Sequence, residues 1–237
     1  MCCDVLKNKT VVFDGDSICH ATTEPKPYRG WAWRIGSKYD MDWHNFGIGG
    51  GTITTELYYA SGEPRHWVCR SIDTIHEQFP TLDYLILEGG TNDADLIYPN
   101  EERFGKVDPY DFSGNYDDTT FCGACETLFY KAIRYYPNTK IGFIVAQKMG
   151  VTNNYTETNK RRMYFLKAIE ICKKWGIPYL DLWDGCPLNP CLNVYFDGEL
   201  DVEGNKAAGK AYVDGQHLST VGYDLITPKI EAWMKTL

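Results

Sequence analysis

Five short apolar runs along the chain have the length of β-strands. They cover residues 10–14, 42–46, 83–88, 140–146 and 177–182. Their apolar positions are mostly continuous rather than alternating, which is typical of parallel strands that are covered on both faces. The pattern therefore predicts a mostly five-stranded parallel sheet that is buried between two layers of helices.

Between the strands, apolar residues recur every three or four positions, which is the period of a helix with one buried face. Such stripes occupy residues 68–79 and 121–136, and a third helix is predicted over 157–175. A last helix is predicted over 219–235, with a fresh start near Pro228, because proline is well suited to the first turn of a helix. Strands that alternate with helices predict the α/β class, as a three-layer α/β/α sandwich with right-handed crossovers.

Two stretches, 94–119 and 184–213, show neither pattern and are rich in Gly, Asn, Asp, Pro and aromatic residues. Both follow predicted strands, so we expect elaborated loops over the carboxyl edge of the sheet, where α/β proteins bind ligands. We find no repeat and no low-complexity linker, and we interpret residues 1–237 as one domain. The aromatic residues of these loops are Tyr98, Phe104, Tyr110, Phe112, Tyr116, Tyr195 and Phe196.

The charge of the chain narrows the class of partner. The 237 residues carry a net charge of −8, which argues against nucleic acid, because phosphate binding needs clustered Lys and Arg. No apolar run approaches the roughly 18 residues of a membrane-spanning helix. The amino-terminal sequence MCCDVLKNKT has no apolar signal core, so we expect a cytoplasmic protein or a secreted one that has been trimmed.

The nine cysteines do not form a metal-binding pattern. Cys122 and Cys125 have the CxxC spacing of zinc ligands, but a zinc site needs a second pair. The nearest candidates, Cys186 and Cys191, are wrongly spaced and have prolines between them. We therefore expect reduced thiols that mostly pack as small apolar side chains, and no metal.

The first strand ends in the sequence VVFDGDSI, which allows two kinds of chemistry. In the first, Asp14 is the nucleophile, and the two aspartates after a strand are similar to those of haloacid-dehalogenase-type phosphatases, with Asp16 as acid/base beside magnesium. Asp181 and Asp184, after the fifth strand, could then bind the metal. The usual Thr or Val after the second aspartate and a convincing lysine are missing, so a magnesium-dependent phosphatase is the alternative interpretation.

In the second kind of chemistry Ser17 is the nucleophile, which needs a base within hydrogen-bond reach and a third group that orients the base. His217 lies three residues after Asp214, in a loop that enters the last predicted helix. A carboxylate at that spacing can hold the imidazole Nδ1–H and leave Nε2 free for a serine. The same DxxH pattern also occurs in ordinary solvated loops with a helix cap. The other histidines are His20, three residues from Ser17, and His44, His66 and His76, which we place in predicted strand or helix segments.

Two further segments supply hydrogen-bond donors at the same predicted edge. The glycine-rich sequence NFGIGGGT, residues 45–52, follows the second strand, and glycines let backbone N–H groups approach a ligand closely. The sequence EGGTND, residues 88–93, follows the third strand and carries the side-chain amide of Asn92. Acyl transfer needs such donors where a carbonyl oxygen becomes an oxyanion. Taken alone, the glycine cluster would also fit a tight turn.

These segments resemble, in order and spacing, the sequence blocks of the SGNH (GDSL-like) hydrolase superfamily. GDS at 15–17 resembles block I, NFGIGGGT at 45–52 block II, GTND at 90–93 block III and DGQHLS at 214–219 block V. The match spans almost the whole chain, although Ile18 replaces the leucine of the fuller GDSL form. The G-x-S-x-G motif of α/β-hydrolases is absent.

The resemblance implies a serine esterase or acylhydrolase of flavodoxin-like fold that forms an acyl-enzyme and needs no metal or organic cofactor. Ser17 would be the nucleophile, and His217 would be the general base and then the general acid. Asp214 would orient His217 and stabilise its charged form. The oxyanion hole would consist of the backbone N–H groups of Ser17 and Gly50 and the side-chain amide of Asn92.

The glycine assignment can slip by one position, so Gly49 and Gly51 are alternatives to Gly50. Under this interpretation Asp16 and Asp93 shape their turns by accepting backbone N–H bonds, and Asp14 merely ends its strand. The substrate would be a small-molecule or carbohydrate ester. Aromatic faces can stack on sugars, so the loop aromatics favour acetylated carbohydrate. A small lipid or aryl ester, and a non-catalytic carbohydrate-binding relative, are the other possibilities.

Overall fold

A computed structural model of the chain describes residues 4–24, 26–150, 155–196 and 210–237, with the backbone alone for 155–159. Cys2, Cys3 and residues 197–209 of the second predicted loop lie outside the described residues. The strands are β1 Thr10–Asp14, β2 Asp42–Asn45, β3 Tyr84–Glu88, β4 Lys140–Val145 and β5 Tyr179–Asp181. The helices are α1 Ser17–His20, α2 Trp31–Lys38, α3 Val68–Gln78, α4 Thr91–Ile97, α5 Glu101–Phe104, α6 Phe121–Tyr135, α7 Tyr155–Trp175, α8 Leu182–Gly185 and α9 Thr220–Met234.

The five strands form one parallel sheet in the order β2-β1-β3-β4-β5. In the register, Val12 of β1 lies between His44 of β2 and Leu85 of β3. The chain leaves β1 toward one side to form β2 and later returns to the other side to form β3. Ligands of α/β proteins bind at such a reversal, so the segments that follow β1 and β3 meet where a site is expected.

Both faces of the sheet are covered, which explains the continuous apolar runs of its strands. Val12 points into one apolar core, whereas Val11 and Phe13 point into the other. The first core is closed by α3, α6 and α7, and the second by α2 and α9. The prediction of a three-layer α/β/α sandwich with a five-stranded parallel sheet is therefore confirmed.

Helix α9 differs from the prediction, because it runs from Thr220 to Met234 without a new start at Pro228. The ring of Pro228 removes one N–H, so the carbonyl of Asp224 loses its helical partner. Both residues are exposed, and water can satisfy that carbonyl. On the opposite side, Tyr223 and Ile230 stay buried in the core and keep the helix continuous.

Part of the first predicted loop is helical. Helix α4 occupies Thr91–Ile97, where Ala94 and Ile97 are buried three residues apart. Helix α5 follows at once and is capped by the side chain of Asn100, which accepts the N–H of Arg103 at 3.0 Å. The glycine and asparagine content of this stretch reflects helix caps and turns rather than one long loop.

Residues 108–116 of this loop do not overhang the carboxyl edge, contrary to the prediction. Lys174, near the end of α7 that leads back to β5, donates to the carbonyl of Asp108 at 2.8 Å. Phe112 and Tyr116 pack edge-on against Trp175 at the same end of α7. That end lies near the amino ends of the strands, so these two aromatic rings stabilise the fold far from the carboxyl edge.

The described cysteines are free thiols, and six of these seven are buried. Cys69, Cys122, Cys125 and Cys172 lie in the same apolar core, and burial raises the pKa of Cys122 to about 12. The CxxC pair therefore packs as small apolar side chains, as expected. Among the helices of the described residues, none combines the length and the apolarity that crossing a membrane would require.

Candidate active site

Ser17 lies at the point where β1 turns into α1. Asp16 caps α1, since its Oδ1 accepts the N–H of Ile18 at 2.8 Å. Position 15 needs a glycine because Glu88 lies close to its backbone, and a Cβ there would be only 2.7 Å from Oε2 of Glu88. The turn holds Ser17 at the carboxyl edge of the sheet with only 5% of its surface exposed.

His217 and Asp214 meet Ser17 from the far end of the chain. The Oγ of Ser17 lies 2.9 Å from Nε2 of His217, and Nδ1 of His217 lies 2.7 Å from Oδ2 of Asp214. The other carboxylate oxygen of Asp214 accepts the backbone N–H groups of Gln216 at 2.9 Å and of His217 at 2.6 Å. The turn formed by the DxxH pattern therefore fixes Asp214 and His217 relative to each other. The fold then places them beside Ser17, which lies 200 positions before His217 in the chain.

The surroundings of Asp214 favour its ionised form. Burial alone would raise the pKa of Asp214, but the hydrogen bonds and the charge of His217 outweigh that effect and hold the pKa below its ordinary value. An ionised carboxylate at Nδ1 selects the tautomer that carries its proton on Nδ1. Nε2 is then free to accept a hydrogen bond from the hydroxyl of Ser17.

The glycine-rich segment after β2 curls back toward Ser17. The N–H of Ile48 donates to the carbonyl of Gly15 at 3.1 Å, and the N–H of Gly51 donates to the carbonyl of Ile48 at 2.9 Å. Within the described part of the chain, the N–H groups of Gly49 and Gly50 have no such acceptor. Of the three glycines, Gly51 has therefore already used its donor in the turn.

Asn92 reaches the same segment from the first turn of α4. One N–H of its side-chain amide donates to the carbonyl of Gly51 at 2.8 Å, which leaves the second N–H for another acceptor. The next residue, Asp93, is fully buried and accepts the N–H groups of Ile53 at 3.0 Å and of Thr54 at 2.9 Å. Asp16 and Asp93 thus accept backbone N–H bonds in their turns, as expected from the sequence.

Glu88 is a buried residue of the site that the sequence analysis did not single out. Its Oε2 accepts the N–H of Asp16 at 3.2 Å, and both carboxyl groups are fully buried. Burial and the neighbouring charge of Asp16 raise the pKa of Glu88 well above its ordinary value. An acidic residue at the end of an otherwise apolar strand was the signal that could have revealed it.

Asp14 does more than end its strand, which corrects the expectation. It is fully buried, and Oδ1 accepts the N–H of Gly15 at 2.8 Å and lies 2.6 Å from Nε2 of His66. Its other oxygen accepts the hydroxyl of Ser71. His66 lies before α3, not inside a strand or helix.

The geometry of the aspartates argues against the phosphatase interpretation. Both oxygens of Asp14 face protein groups, so neither is placed to attack a phosphate. Asp181 caps α8 and pairs with Arg162 at 2.9 Å, and Asp184 pairs with the same guanidinium. The two aspartates suggested as a metal-binding pair therefore neutralise an arginine.

Three of the five remaining aromatic residues of the predicted loops pack against other residues, and one of the three, Tyr195, lies partly buried against an apolar core. The ring of Phe104 lies against Tyr164 at a centroid distance of 4.8 Å, and Phe196 is buried. Tyr98 and Tyr110 are exposed. These rings give little support to a sugar-stacking role for the loops.

The sequence matches a known protein family, and the fold matches several solved structures. Residues 13–225 match the model of the GDSL-like Lipase/Acylhydrolase family. Among curated proteins, none matches this chain significantly.

Several solved structures share the fold at low sequence identity. A protein from Lactobacillus plantarum is 19% identical, with a TM-score of 0.71 over 97% of this chain and 98% of that one. An acetylxylan esterase from Geobacillus stearothermophilus is 15% identical, with a TM-score of 0.59 over 98% of this chain and 96% of that one. A family two carbohydrate esterase from Clostridium thermocellum is 16% identical, with a TM-score of 0.62 over 97% of this chain and 64% of that one.

Proposed function

The chain belongs to the GDSL-like lipase/acylhydrolase family and is a hydrolase of ester bonds, and we propose that it works as a serine esterase through Ser17, His217 and Asp214. The observation that carries this proposal is the order of contacts, with Ser17 Oγ 2.9 Å from His217 Nε2 and His217 Nδ1 2.7 Å from Asp214. A neutral imidazole held at Nδ1 by a carboxylate can accept the serine proton at Nε2.

In the first half of the reaction, Ser17 Oγ attacks the carbonyl carbon of the ester while its proton moves to Nε2 of His217. The carbonyl oxygen becomes an oxyanion, and the imidazolium is stabilised by Asp214. His217 then gives the proton to the alcohol as the bond between acyl carbon and alcohol oxygen breaks. In the second half, the same imidazole deprotonates a water that attacks the acyl-enzyme, and the acid leaves as Ser17 regains its proton.

The oxyanion would be stabilised by three donors, which are the backbone N–H groups of Ser17 and Gly50 and the second N–H of the Asn92 side chain. The hydrogen bond from the N–H of Gly51 to the carbonyl of Ile48 favours Gly50 over Gly51 as the donor. The bond from Asn92 to the carbonyl of Gly51 supports the assignment too, because it holds the amide beside the glycine segment. Such preorganised donors typically contribute about 10²–10³ each to kcat.

For the substrate we propose an acetyl ester of a carbohydrate. The support comes from two structural neighbours, described as an acetylxylan esterase and a carbohydrate esterase, that cover nearly the whole of this chain. The loop aromatics add little, since Phe104, Phe112 and Tyr116 pack against other rings. Esters of small aryl alcohols or lipids are the competing substrates.

A fluorophosphonate probe tests the nucleophile. We expect stoichiometric labelling of the purified protein, a modified peptide that contains Ser17 by mass spectrometry, and no labelling of Ser17→Ala. Labelling that persists in Ser17→Ala would contradict the assignment. Hydrolysis of p-nitrophenyl phosphate that needs magnesium and survives Ser17→Ala would revive the phosphatase interpretation.

A panel of esters tests the substrate. Acetylated xylo-oligosaccharides should give a higher kcat/KM than p-nitrophenyl acetate, and p-nitrophenyl esters should be cleaved more slowly as the acyl chain lengthens. A preference for octanoyl over acetyl esters would contradict the carbohydrate proposal while leaving the Ser17 mechanism intact. Binding of the oligosaccharides without any turnover would favour a non-catalytic relative.

A further inference from the structure

The glycine segment after β2 is held from outside by three side chains, one for each consecutive carbonyl. The hydroxyl of Tyr59 donates to the carbonyl of Gly49 at 2.6 Å, and Nη1 of Arg65 donates to the carbonyl of Gly50 at 2.7 Å. Asn92 donates to the carbonyl of Gly51, as described above. Neither Tyr59 nor Arg65 belongs to the sequence blocks that carry the family resemblance.

Tyr59 and Arg65 come from one small hairpin, residues 57–65. The N–H of Tyr59 donates to the carbonyl of Glu63 at 2.9 Å, and the N–H of Arg65 donates to the carbonyl of Leu57 at 3.0 Å. The guanidinium of Arg65 lies over the ring of Tyr59, 4.5 Å from its centroid, and its Nε donates to the carbonyl of Tyr58 at 3.2 Å. The hairpin therefore presents the phenol and the guanidinium as one preassembled unit.

The carbonyl of Gly49 and the N–H of Gly50 belong to the same planar trans peptide and point in opposite directions. A hydrogen bond that fixes the carbonyl toward Tyr59 thereby fixes the N–H of Gly50 away from Tyr59. The same bond polarises the peptide and strengthens its N–H as a donor, because linked hydrogen bonds reinforce one another.

Arg65 fixes the peptide on the other side of Gly50. Its bond to the carbonyl of Gly50 is matched by the bond from the N–H of Gly51 to Ile48, so both ends of that peptide are held. Gly50 itself has a φ of +79°, and a Cβ there would lie 2.8 Å from the Tyr59 ring and 2.9 Å from Arg65 Nη1. The two side chains thus lie directly on the backbone of Gly50, in space that only a glycine leaves open.

We propose that Tyr59 and Arg65 are positioning residues that hold and polarise the N–H of Gly50 as an oxyanion-hole donor. This inference rests on the proposed role of Gly50 as that donor. In this arrangement neither side chain needs to touch the substrate. Both act through the two peptides that flank Gly50, so their effect should fall on the transition state and not on ground-state binding.

Tyr59→Phe is the most direct test, since it removes one hydroxyl, and Tyr58→Phe is the matched control at the adjacent residue. We expect Tyr59→Phe to lower kcat roughly tenfold with little change in KM, because the donor is retained but less well held and polarised. The affinity for a boronic acid, which forms a tetrahedral adduct with the serine, should fall by the same factor. Tyr58→Phe, whose ring is half exposed, should leave both values unchanged.

Arg65 offers a second, independent test. Arg65→Met removes both the donor and the charge, and we expect a loss of kcat at least as large as in Tyr59→Phe. Arg65→Lys should recover part of this loss, because a lysine keeps the charge and one donor. Titration with the fluorophosphonate reports the fraction of folded, competent sites, and kcat is expressed for each titrated site.

Equal kcat and boronate affinity in Tyr59→Phe and Tyr58→Phe would overturn the inference. A merely structural role would reduce the titrated site fraction or the melting temperature while kcat for each site stays the same, and that result would overturn it too. If the proposed function itself were wrong, Ser17→Ala and Asn92→Ala would retain activity. The two failures are therefore distinguishable.

Discussion

Asp214 and His217 form one carboxylate–imidazole pair near the carboxyl edge of the sheet, and Asp14 and His66 form another. The separations are nearly the same, 2.7 Å in the first pair and 2.6 Å in the second. The nitrogen that is held differs. Asp214 holds Nδ1 of its histidine, whereas Asp14 holds Nε2.

Each pair also has a serine, but the serines bond to different members. Ser17 lies 2.9 Å from the free Nε2 of His217, whereas the hydroxyl of Ser71 donates to the carboxylate of Asp14 and not to an imidazole. A serine, a histidine and an aspartate in one cluster therefore do not suffice for a nucleophile. The base must lie between the other two, with one nitrogen facing each.

The largest expected difference in kcat is between alanine substitutions of the two histidines. We expect His217→Ala to lower kcat by about 10⁶, as is typical when the base of a triad is removed. His66→Ala should leave kcat within about tenfold, since its imidazole contacts Asp14 rather than Ser17. Steady-state kinetics on p-nitrophenyl acetate, corrected for titrated sites, measures both. Comparable losses in the two variants would mean that His66 takes part in the chemistry.

The aspartates allow the same substitution at both pairs. Asp214→Asn should lower kcat by roughly 10⁴ with the fold intact, because an amide favours the wrong tautomer of His217. Asp14→Asn should instead reduce the free energy of unfolding by about 1–3 kcal/mol, the usual cost of spoiling buried hydrogen bonds, with a small effect on kcat. Urea unfolding should therefore show the larger loss of stability in Asp14→Asn, and kinetics should show the larger loss of kcat in Asp214→Asn. A stable Asp14→Asn variant with little activity would contradict this division.

The sequence was sufficient to predict the sheet and the first pair. The strands are buried on both faces, so runs such as YLIL at the start of β3 are recognisable as continuous apolar sequence. The DxxH pattern is equally local, because Asp214 and His217 lie in one turn. Ser17 is far from this pair along the chain, and the order of the family's sequence blocks indicated that the three residues belong together.

The second pair and the hairpin could not be predicted, because their contacts are made only by tertiary approach. Asp14 and His66 are 52 positions apart, and the sequence around each of them does not indicate that they contact each other. Tyr59 and Arg65 lie in an irregular, polar segment whose composition indicates only a turn. Pro228 misled the prediction for the opposite reason, since its local preference was overridden by the buried face of α9.

The serine of the second pair, Ser71, allows a further test with a smaller expected effect. Ser71→Ala removes a hydroxyl donor to a buried carboxylate, and we expect it to reduce the free energy of unfolding by about 1.5–3 kcal/mol. Labelling by the fluorophosphonate and kcat should match those of the unsubstituted protein, because Ser71 faces a carboxylate and not an imidazole. Loss of labelling in a folded Ser71→Ala variant would show that the second cluster is reactive.

The smallest expected effect is a difference in how pH acts on the two pairs. Burial disfavours the charged form of His66, but the hydrogen bond and charge of Asp14 outweigh it and raise the pKa of His66 above its ordinary value. The folded protein therefore binds more protons at His66 than the unfolded chain does. The stability gained is fully present below the unfolded pKa of about 6.5 and is lost as pH rises through the higher folded value. Asp214 has a lowered pKa, so its contribution is present above about 3.9 and is lost only as pH falls below that range.

Urea unfolding of the unsubstituted protein and of His66→Gln between pH 6 and pH 9 separates these contributions. The difference in unfolding free energy should shrink as pH rises, by about 1.4 kcal/mol for each unit by which the pKa of His66 is raised. Burial, and to a smaller extent the charge of His66, lower the pKa of His20, so His20→Asn in both proteins removes the titration of His20 from the comparison. Asp214→Asn introduced into both proteins should leave this difference unchanged, because His66 is held by Asp14 and not by Asp214. A difference between the unsubstituted protein and His66→Gln that does not vary with pH would mean that the Asp14–His66 contact is an uncharged hydrogen bond.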